Sequence, residues 1–132
     1  MNTEMKSPVM CFRGSRKTSV AVARMSQKSG IVVNGRKIEE YFGGQAILLQ
    51  RALKALVLLQ KDMAITVNVH GSGLSSQAGA IQLAISKLLA SMQEENRVVL
   101  NAANLLRCDT RQVERKKVGL YKARKKPPYN RR

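Results

Sequence analysis

Hydrophobic and polar residues change their repeat several times along the chain, and each repeat predicts an element. From Thr18 to Met25, small and aliphatic residues alternate loosely, which predicts a strand. Gly30-Ile31-Val32-Val33 predicts a second strand, closed by Asn34-Gly35, a pair suited to the positive φ of a tight turn. Ile38 to Phe42 predicts a short helical turn that Gly43-Gly44 ends. Over residues 45–60, Leu48, Leu49, Ala52, Leu53, Leu56 and Leu59 recur at helical spacing, with Gln50, Arg51 and Lys54 on the other side. Residues 64–70 form the clearest strand: Ile65, Val67 and Val69 point inward, Thr66, Asn68 and His70 outward.

A glycine-rich loop follows, then a helix from about Ser75 to Gln93 with Ala78, Ile81, Ala84 or Ile85, Leu88 and Met92 as its apolar stripe. Ser75 or Ser76 is placed to cap it. A further short helix is expected over about Arg97 to Leu105. Residues 1–13 read as an irregular lead-in and residues 14–110 as a globular α/β domain. Beyond Thr110 the apolar pattern fails, and residues 111–132 read as an extended tail, stiffened by Pro127-Pro128.

Charge changes this picture most. The 132 residues carry a formal net charge of +16, from 24 Lys and Arg against 8 Asp and Glu. Its distribution is uneven: residues 1–37 have net +7, residues 38–106 net zero, and residues 107–132 net +9. A self-repelling excess of this size needs a polyanionic partner. Basic ends on a neutral body suit arms that run along a phosphate backbone. A membrane partner is not expected: the most apolar stretch, Ala46 to Leu59, is short and broken by Arg51 and Lys54, and no secretory h-region is evident at the N-terminus. Cys11 and Cys108 have no metal-ligand spacing, so no metal site is expected, and two free thiols are expected rather than a disulfide.

Two stretches carry candidate chemistry. In Gly71-Ser72-Gly73-Leu74-Ser75-Ser76-Gln77-Ala78-Gly79-Ala80, glycines and hydroxyls lie between a strand and a helix start, where backbone N–H groups and the positive end of the helix dipole meet a phosphate. The phosphate belongs either to a nucleotide, as in small-molecule kinases of the galactokinase–homoserine kinase type, or to a nucleic-acid backbone. The bland reading is a tight turn in which Gly79 permits close packing. A Walker loop would need a lysine after its last glycine, and there is none.

The second stretch is the tail, in which ten of the last 22 residues are basic, more than solubility requires. Arg111, Arg115, Lys116, Lys117, Lys122, Arg124, Lys125 and Lys126 are candidate phosphate contacts, with Tyr121 and Tyr129 placed among them to stack on bases. Arg16-Lys17-Thr18 is a smaller basic motif at the other end. His70 is the only histidine, and the Glu39-Glu40 and Glu94-Glu95 pairs read as solvated charges. No nucleophile–base set emerges, so no enzyme is expected and no cofactor is called for.

Taken together, the chain from about Gly14 to Arg132 resembles the family of the ninth protein of the small ribosomal subunit, in its bacterial and organellar form. The resemblance rests on Arg16-Lys17-Thr18-Ser19-Val20-Ala21, Val33-Asn34-Gly35, Glu40-Tyr41-Phe42, Gly73-Leu74-Ser75-Ser76-Gln77-Ala78-Gly79-Ala80-Ile81, Val113-Glu114-Arg115-Lys116-Lys117-Val118-Gly119 and the basic C-terminus. It implies a mostly antiparallel sheet with helices on one face and a left-handed βαβ crossover, a hand that runs against the usual rule.

It also implies a place in the head of the small subunit, among neighbouring ribosomal proteins, in a bacterial cytoplasm or an organelle. Ribosomal RNA is the implied partner of Arg16, Lys17, Gly71, Ser72, Gly73, Ser75, Gln77, Tyr129 and the tail cations. Peptidyl-site transfer RNA is the implied partner of Arg131 and Arg132. The chain departs from the family pattern at Gln82-Leu83, where Arg-His is usual, at Cys108, where a basic residue is usual, and at Val22.

Overall fold

A computed structural model describes residues 10–27 and 29–130. The elements follow in the order β1 (Cys11–Arg16), β2 (Ser19–Met25), β3 (Ile31–Val33), β4 (Arg36–Lys37), α1 (Ile38–Tyr41), α2 (Ala46–Leu59), β5 (Ile65–His70), α3 (Leu74–Met92) and α4 (Glu94–Ala102). The strands form one sheet in the order β1-β2-β5-β3-β4. Three of its pairings are antiparallel and one, β3 with β5, is parallel. The mixed, mostly antiparallel α/β fold expected from the sequence is therefore the one observed. Parallel neighbours need a crossover, and here β4, α1 and α2 supply it.

The core lies between the sheet and α3. Ala21, Ala23, Val33, Ile65, Val67 and Val69 face Ala78, Ala80, Ile81, Ala84, Ile85, Leu88 and Leu89, all buried. The β5 alternation holds at every position, with Ile65, Val67 and Val69 buried and the residues between them more exposed. Helix α3 packs across β1 and β2, while α2 and α4 pack against α3. Burying an apolar face this way returns roughly 25 cal/mol per Å², and small side chains on both sides let the layers approach closely. Gly14 takes this to its limit: a Cβ there would run into the backbone carbonyl of Ala80 and the backbone N of Ala84.

The structure corrects four expectations. Residues 11–13, read as irregular lead-in, belong to β1, an edge strand that pairs with β2 along its whole length. Its Cys-Phe-Arg-Gly-Ser-Arg sequence hides the alternation because glycine occupies a core-facing position. Residues 1–9 lie outside the described residues. Helix α4 starts three residues before the expected Arg97, at Glu94. Glu94 and Glu95 occupy its first turn, where carboxylates favour the helix dipole. It ends before Leu105 because Asn104 turns left-handed (φ 57°). The Leu105 N–H then bonds the Leu100 carbonyl and the Asn104 N–H that of Asn101, a Schellman closure. Gln60 (φ 50°) closes α2 in the same manner.

The third correction concerns capping. Gly73 is the N-cap of α3 and no side chain caps it, so neither Ser75 nor Ser76 does so. The helix begins one residue early, which places both serines inside its first turn. Finally, the tail is not straight. Residues 111–130 have no regular secondary structure, but Gly119 adopts φ 77° and the chain turns back. The Tyr121 N–H bonds the Lys125 carbonyl at 2.8 Å, and Arg124 grips Glu114 through two bonds of 3.0 and 2.7 Å.

Candidate nucleic-acid interface

Three regions of the expected interface can be followed in the structure. The first is the glycine-rich turn between β5 and α3. Gly71 has φ 85°, and a Cβ there would strike the carbonyl of Thr18 in the β1–β2 turn. Its own carbonyl accepts from the Ser19 hydroxyl at 2.9 Å and from the Gln77 amide at 3.1 Å. The Gln77 side-chain oxygen accepts from the Tyr41 hydroxyl at 2.6 Å. Gln77, expected at the RNA, is thus buried with both ends of its amide engaged inside the protein. Gly71, Ser72, Gly73 and Ser75 are exposed. The uncapped start of α3 presents its first N–H groups beside them, an arrangement that accepts a phosphate.

The second region joins body to tail. Arg111 holds the Asp109 carboxylate through Nε at 3.1 Å and Nη2 at 2.8 Å, and its backbone N–H adds a bond of 3.0 Å. From β1, Arg16 reaches the same carboxylate at 3.2 Å and the Arg111 carbonyl at 3.4 Å. Gln112 donates to the Lys17 carbonyl at 3.3 Å. Arg16 and Arg111, expected to be free for phosphate, therefore share one carboxylate and fasten the tail to the first hairpin. The Lys17 side chain stays exposed on that hairpin.

Gly79 leaves room for this crossing: a Cβ there would sit 3.3 Å from Arg16 Cγ and 3.4 Å from Arg51 Nη2. Arg16, Arg51, Arg107 and Asp109 line a polar cleft of about 140 Å³. Arg51 and Asp109 were missed as interface residues. Arg51 read as the solvent side of α2, and nothing in the sequence ties position 109 to position 16.

The side-chain and backbone hydrogen bonds from Arg111 hold the Asp109 carboxyl well below the usual carboxylate range, against an opposing desolvation. A lowered folded-state value means that the contact is present above the ordinary carboxylate pKa, about 3.9. It is lost only as pH falls through the lower folded value. The joint should stay closed from pH 5 to 8. Asp109→Asn should open it, and trypsin should then cut after Arg111 and Arg107 several-fold faster than in the parent at pH 7.5. Equal cleavage rates would show that the carboxylate does not hold the tail.

The third region is the tail itself. Lys116, Lys117, Lys122, Lys125 and Lys126 are exposed and form no ion pair with a described carboxylate. Arg115 is exposed and donates only to the neighbouring Lys116 carbonyl, at 3.3 Å. Arg124, by contrast, is bound to Glu114, which pulls the glutamate's pKa down through that hydrogen bond. The turn at Gly119 gathers the free cations onto one compact loop, with Tyr121 exposed beside them. Tyr129 is 93% exposed. Arg131 and Arg132, the expected transfer RNA contacts, lie outside the described residues.

Cys108 sits with its sulfur 3.6 Å from the Ser15 hydroxyl, and neither cysteine forms a disulfide. Ser15 lies four residues along β1 from Cys11, about 13 Å at strand rise, beyond the reach of a disulfide. Among the described residues no cluster of His, Cys, Asp or Glu could hold a metal, and no helix is long and apolar enough to cross a membrane.

The family profile described as ribosomal protein S9/S16 matches residues 14–132. The chain is 46% identical over 122 residues to small ribosomal subunit protein uS9 of Chlorobium phaeobacteroides, covering 90% of this chain and 94% of the relative. It is 46% identical over the same span to that of Chlorobaculum tepidum and 45% to that of Chlorobium chlorochromatii. The basic loop, the uncapped helix start and the fastened tail are thus features of a chain that belongs to the ribosomal protein S9/S16 family, a family of structural proteins and not of enzymes.

Proposed function

We propose that this chain is a structural constituent of the small ribosomal subunit, bound to ribosomal RNA in the subunit head among neighbouring ribosomal proteins. One observation carries the RNA reading. Six cations of the tail loop, Arg115, Lys116, Lys117, Lys122, Lys125 and Lys126, are exposed without a carboxylate partner among the described residues. Such a cluster is costly to hold together alone and is neutralised by a phosphate backbone. The exposed turn Gly71, Ser72, Gly73 and Ser75, together with Lys17, forms the second contact, and Tyr129 stacks on a base. Arg16, Arg111, Arg124 and Gln77 serve this interface by positioning the tail base, the loop and the glycine-rich turn. These contacts give affinity and position more than sequence readout. The terminal Arg131 and Arg132 extend the chain beyond Pro127-Pro128 toward peptidyl-site transfer RNA. The compartment follows the ribosome, in bacterial cytoplasm or an organelle, and the bacterial relatives favour the former.

The test is co-sedimentation with assembled small subunits through a high-salt cushion. The chain should remain at stoichiometric occupancy, whereas a non-ribosomal nucleic-acid adaptor would wash off. Removing only Arg131 and Arg132 should leave that occupancy unchanged and speed transfer RNA release from the peptidyl site several-fold. Loss of the protein from the subunit, or an unaltered release rate, would refute the role given to those two residues.

A further inference from the structure

We propose that the helix-free face of the sheet is a second RNA-binding surface, one that takes the phosphate–ribose backbone of an RNA double helix. This rests on the ribosomal RNA reading above but uses residues that no part of it employs. The face is defined by strand parity. Gly14 abuts α3, so Cys11, Arg13 and Ser15 point to the opposite side.

The register then carries that side across the sheet in rows. Cys11 lies opposite Arg24, Arg24 opposite Thr66, Thr66 opposite Val32, and Val32 opposite Lys37. A second row is Arg13–Val22–Asn68 and a third Ser15–Val20–His70. The packing helix α3 lies on the other face, and α2 and α4 pack against it.

Chemistry separates the possible occupants. The rows contain three cations, Arg13, Arg24 and Lys37, and no carboxylate. None of the three pairs with a described carboxylate. Among the described residues the Nε–H of Arg24 has no hydrogen-bond partner. Arg13 and Arg24 are diagonal neighbours, about 7 Å apart at the backbone. Lys37 lies three strands from Arg24, about 14 Å away.

Between the cations the floor is Val20, Val22 and Val32, with no aromatic residue. Phe12 has the opposite parity, Tyr41 and Phe42 belong to α1 and its end, and Tyr121 and Tyr129 are in the tail. Sheets that read unstacked bases do so with aromatic side chains on the platform. This sheet has none, so it suits a duplex met through its backbone.

The decisive experiment places a photo-cross-linking residue at Asn68, exposed at the centre of the face, in the full chain within purified small subunits. A cross-link to ribosomal RNA in a paired segment is the expected product. A cross-link to another ribosomal protein makes the face a protein interface and overturns the proposal, as does the absence of any product. A second measurement is independent of the ribosome. The full-length R13Q/R24Q/K37Q variant should bind a ~20-base-pair RNA duplex about tenfold or more weakly near 100 mM salt. The slope of log affinity against log salt should fall by about two to three, and binding to a single strand of equal length should change less than twofold. Equal loss on both probes, or none on the duplex, refutes the assignment. A duplex result as expected in a chain that fails to enter subunits would overturn the ribosomal reading while leaving the surface in place. Melting curves of the variant and the parent should coincide within about 3 °C, so that a loss of binding is not a loss of fold.

Discussion

Replacing Gly14 by alanine should lower the melting temperature by about 10 °C. The added Cβ meets backbone, the Ala80 carbonyl and the Ala84 N–H, and not a side chain that can turn aside. Either α3 must move off β1 or β1 must leave the sheet edge. Overpacking of this kind costs about 3 kcal/mol, and one kcal/mol moves the midpoint by about 3–5 °C in a domain of this size. Thermal and urea unfolding followed by circular dichroism would measure it. A shift below about 2 °C would mean that the strand–helix contact is looser than described. No charge changes, so the salt slope of RNA binding should stay at the parent value.

Deleting residues 115–132 should have the opposite profile. It removes nine of the 24 basic residues, including all six unpaired cations of the tail loop, yet spares Asp109, Arg111 and Gln112, which fasten the tail base. Melting should move by no more than about 2 °C. RNA affinity near 100 mM salt should drop by about 10³ or more, and the log–log salt slope by about five, one phosphate per lost cation. Assembly into subunits should fail. Retained affinity would transfer the main electrostatic contact from the tail to the body. The pair of variants thus separates what folds the chain from what holds the RNA.

Much of this was readable along the sequence because local pattern and tertiary role coincided. The β5 alternation, the α2 and α3 stripes and the Asn34-Gly35 turn each report burial or positive φ directly, and each is present, except that Met92, placed on the α3 stripe, lies at the exposed end of the helix. β1 was not readable because its core-facing positions are Phe12, Gly14 and Arg16, two of which no hydrophobic scale marks as inside. The end of α4 escaped because Asn104, not glycine, takes the left-handed position, whereas α2, read over residues 45–60, ends at Leu59 as expected.

The tail's charge points to a polyanionic partner. What charge counting cannot reveal is which cations are already engaged. Arg16, Arg111 and Arg124 look like Lys117 or Lys122 on paper, and only the positions of Asp109 and Glu114 distinguish them. The open sheet face was invisible for a related reason: Arg13, Arg24 and Lys37 are far apart in sequence and become a surface only through strand register.

The turn residue Asn34 does more than bend the chain. Its side-chain amide donates to the Val69 carbonyl at 2.8 Å and accepts from the Val69 N–H at 2.9 Å. The three-residue strand β3 is thereby prolonged by a side chain that imitates a peptide unit. An asparagine followed by glycine is prone to lose its amide through a cyclic imide, and asparagine is among the thermolabile residues for such reasons. Here both amide atoms are engaged, so cyclisation must first break two bonds to β5, and the folded protein ages slowly at this position. Once deamidated, the residue would set a carboxylate oxygen against the Val69 carbonyl, acceptor facing acceptor, and the parallel seam of the sheet would lose its last rung. Loss of that one amide would thus loosen the β3–β4 corner of the sheet.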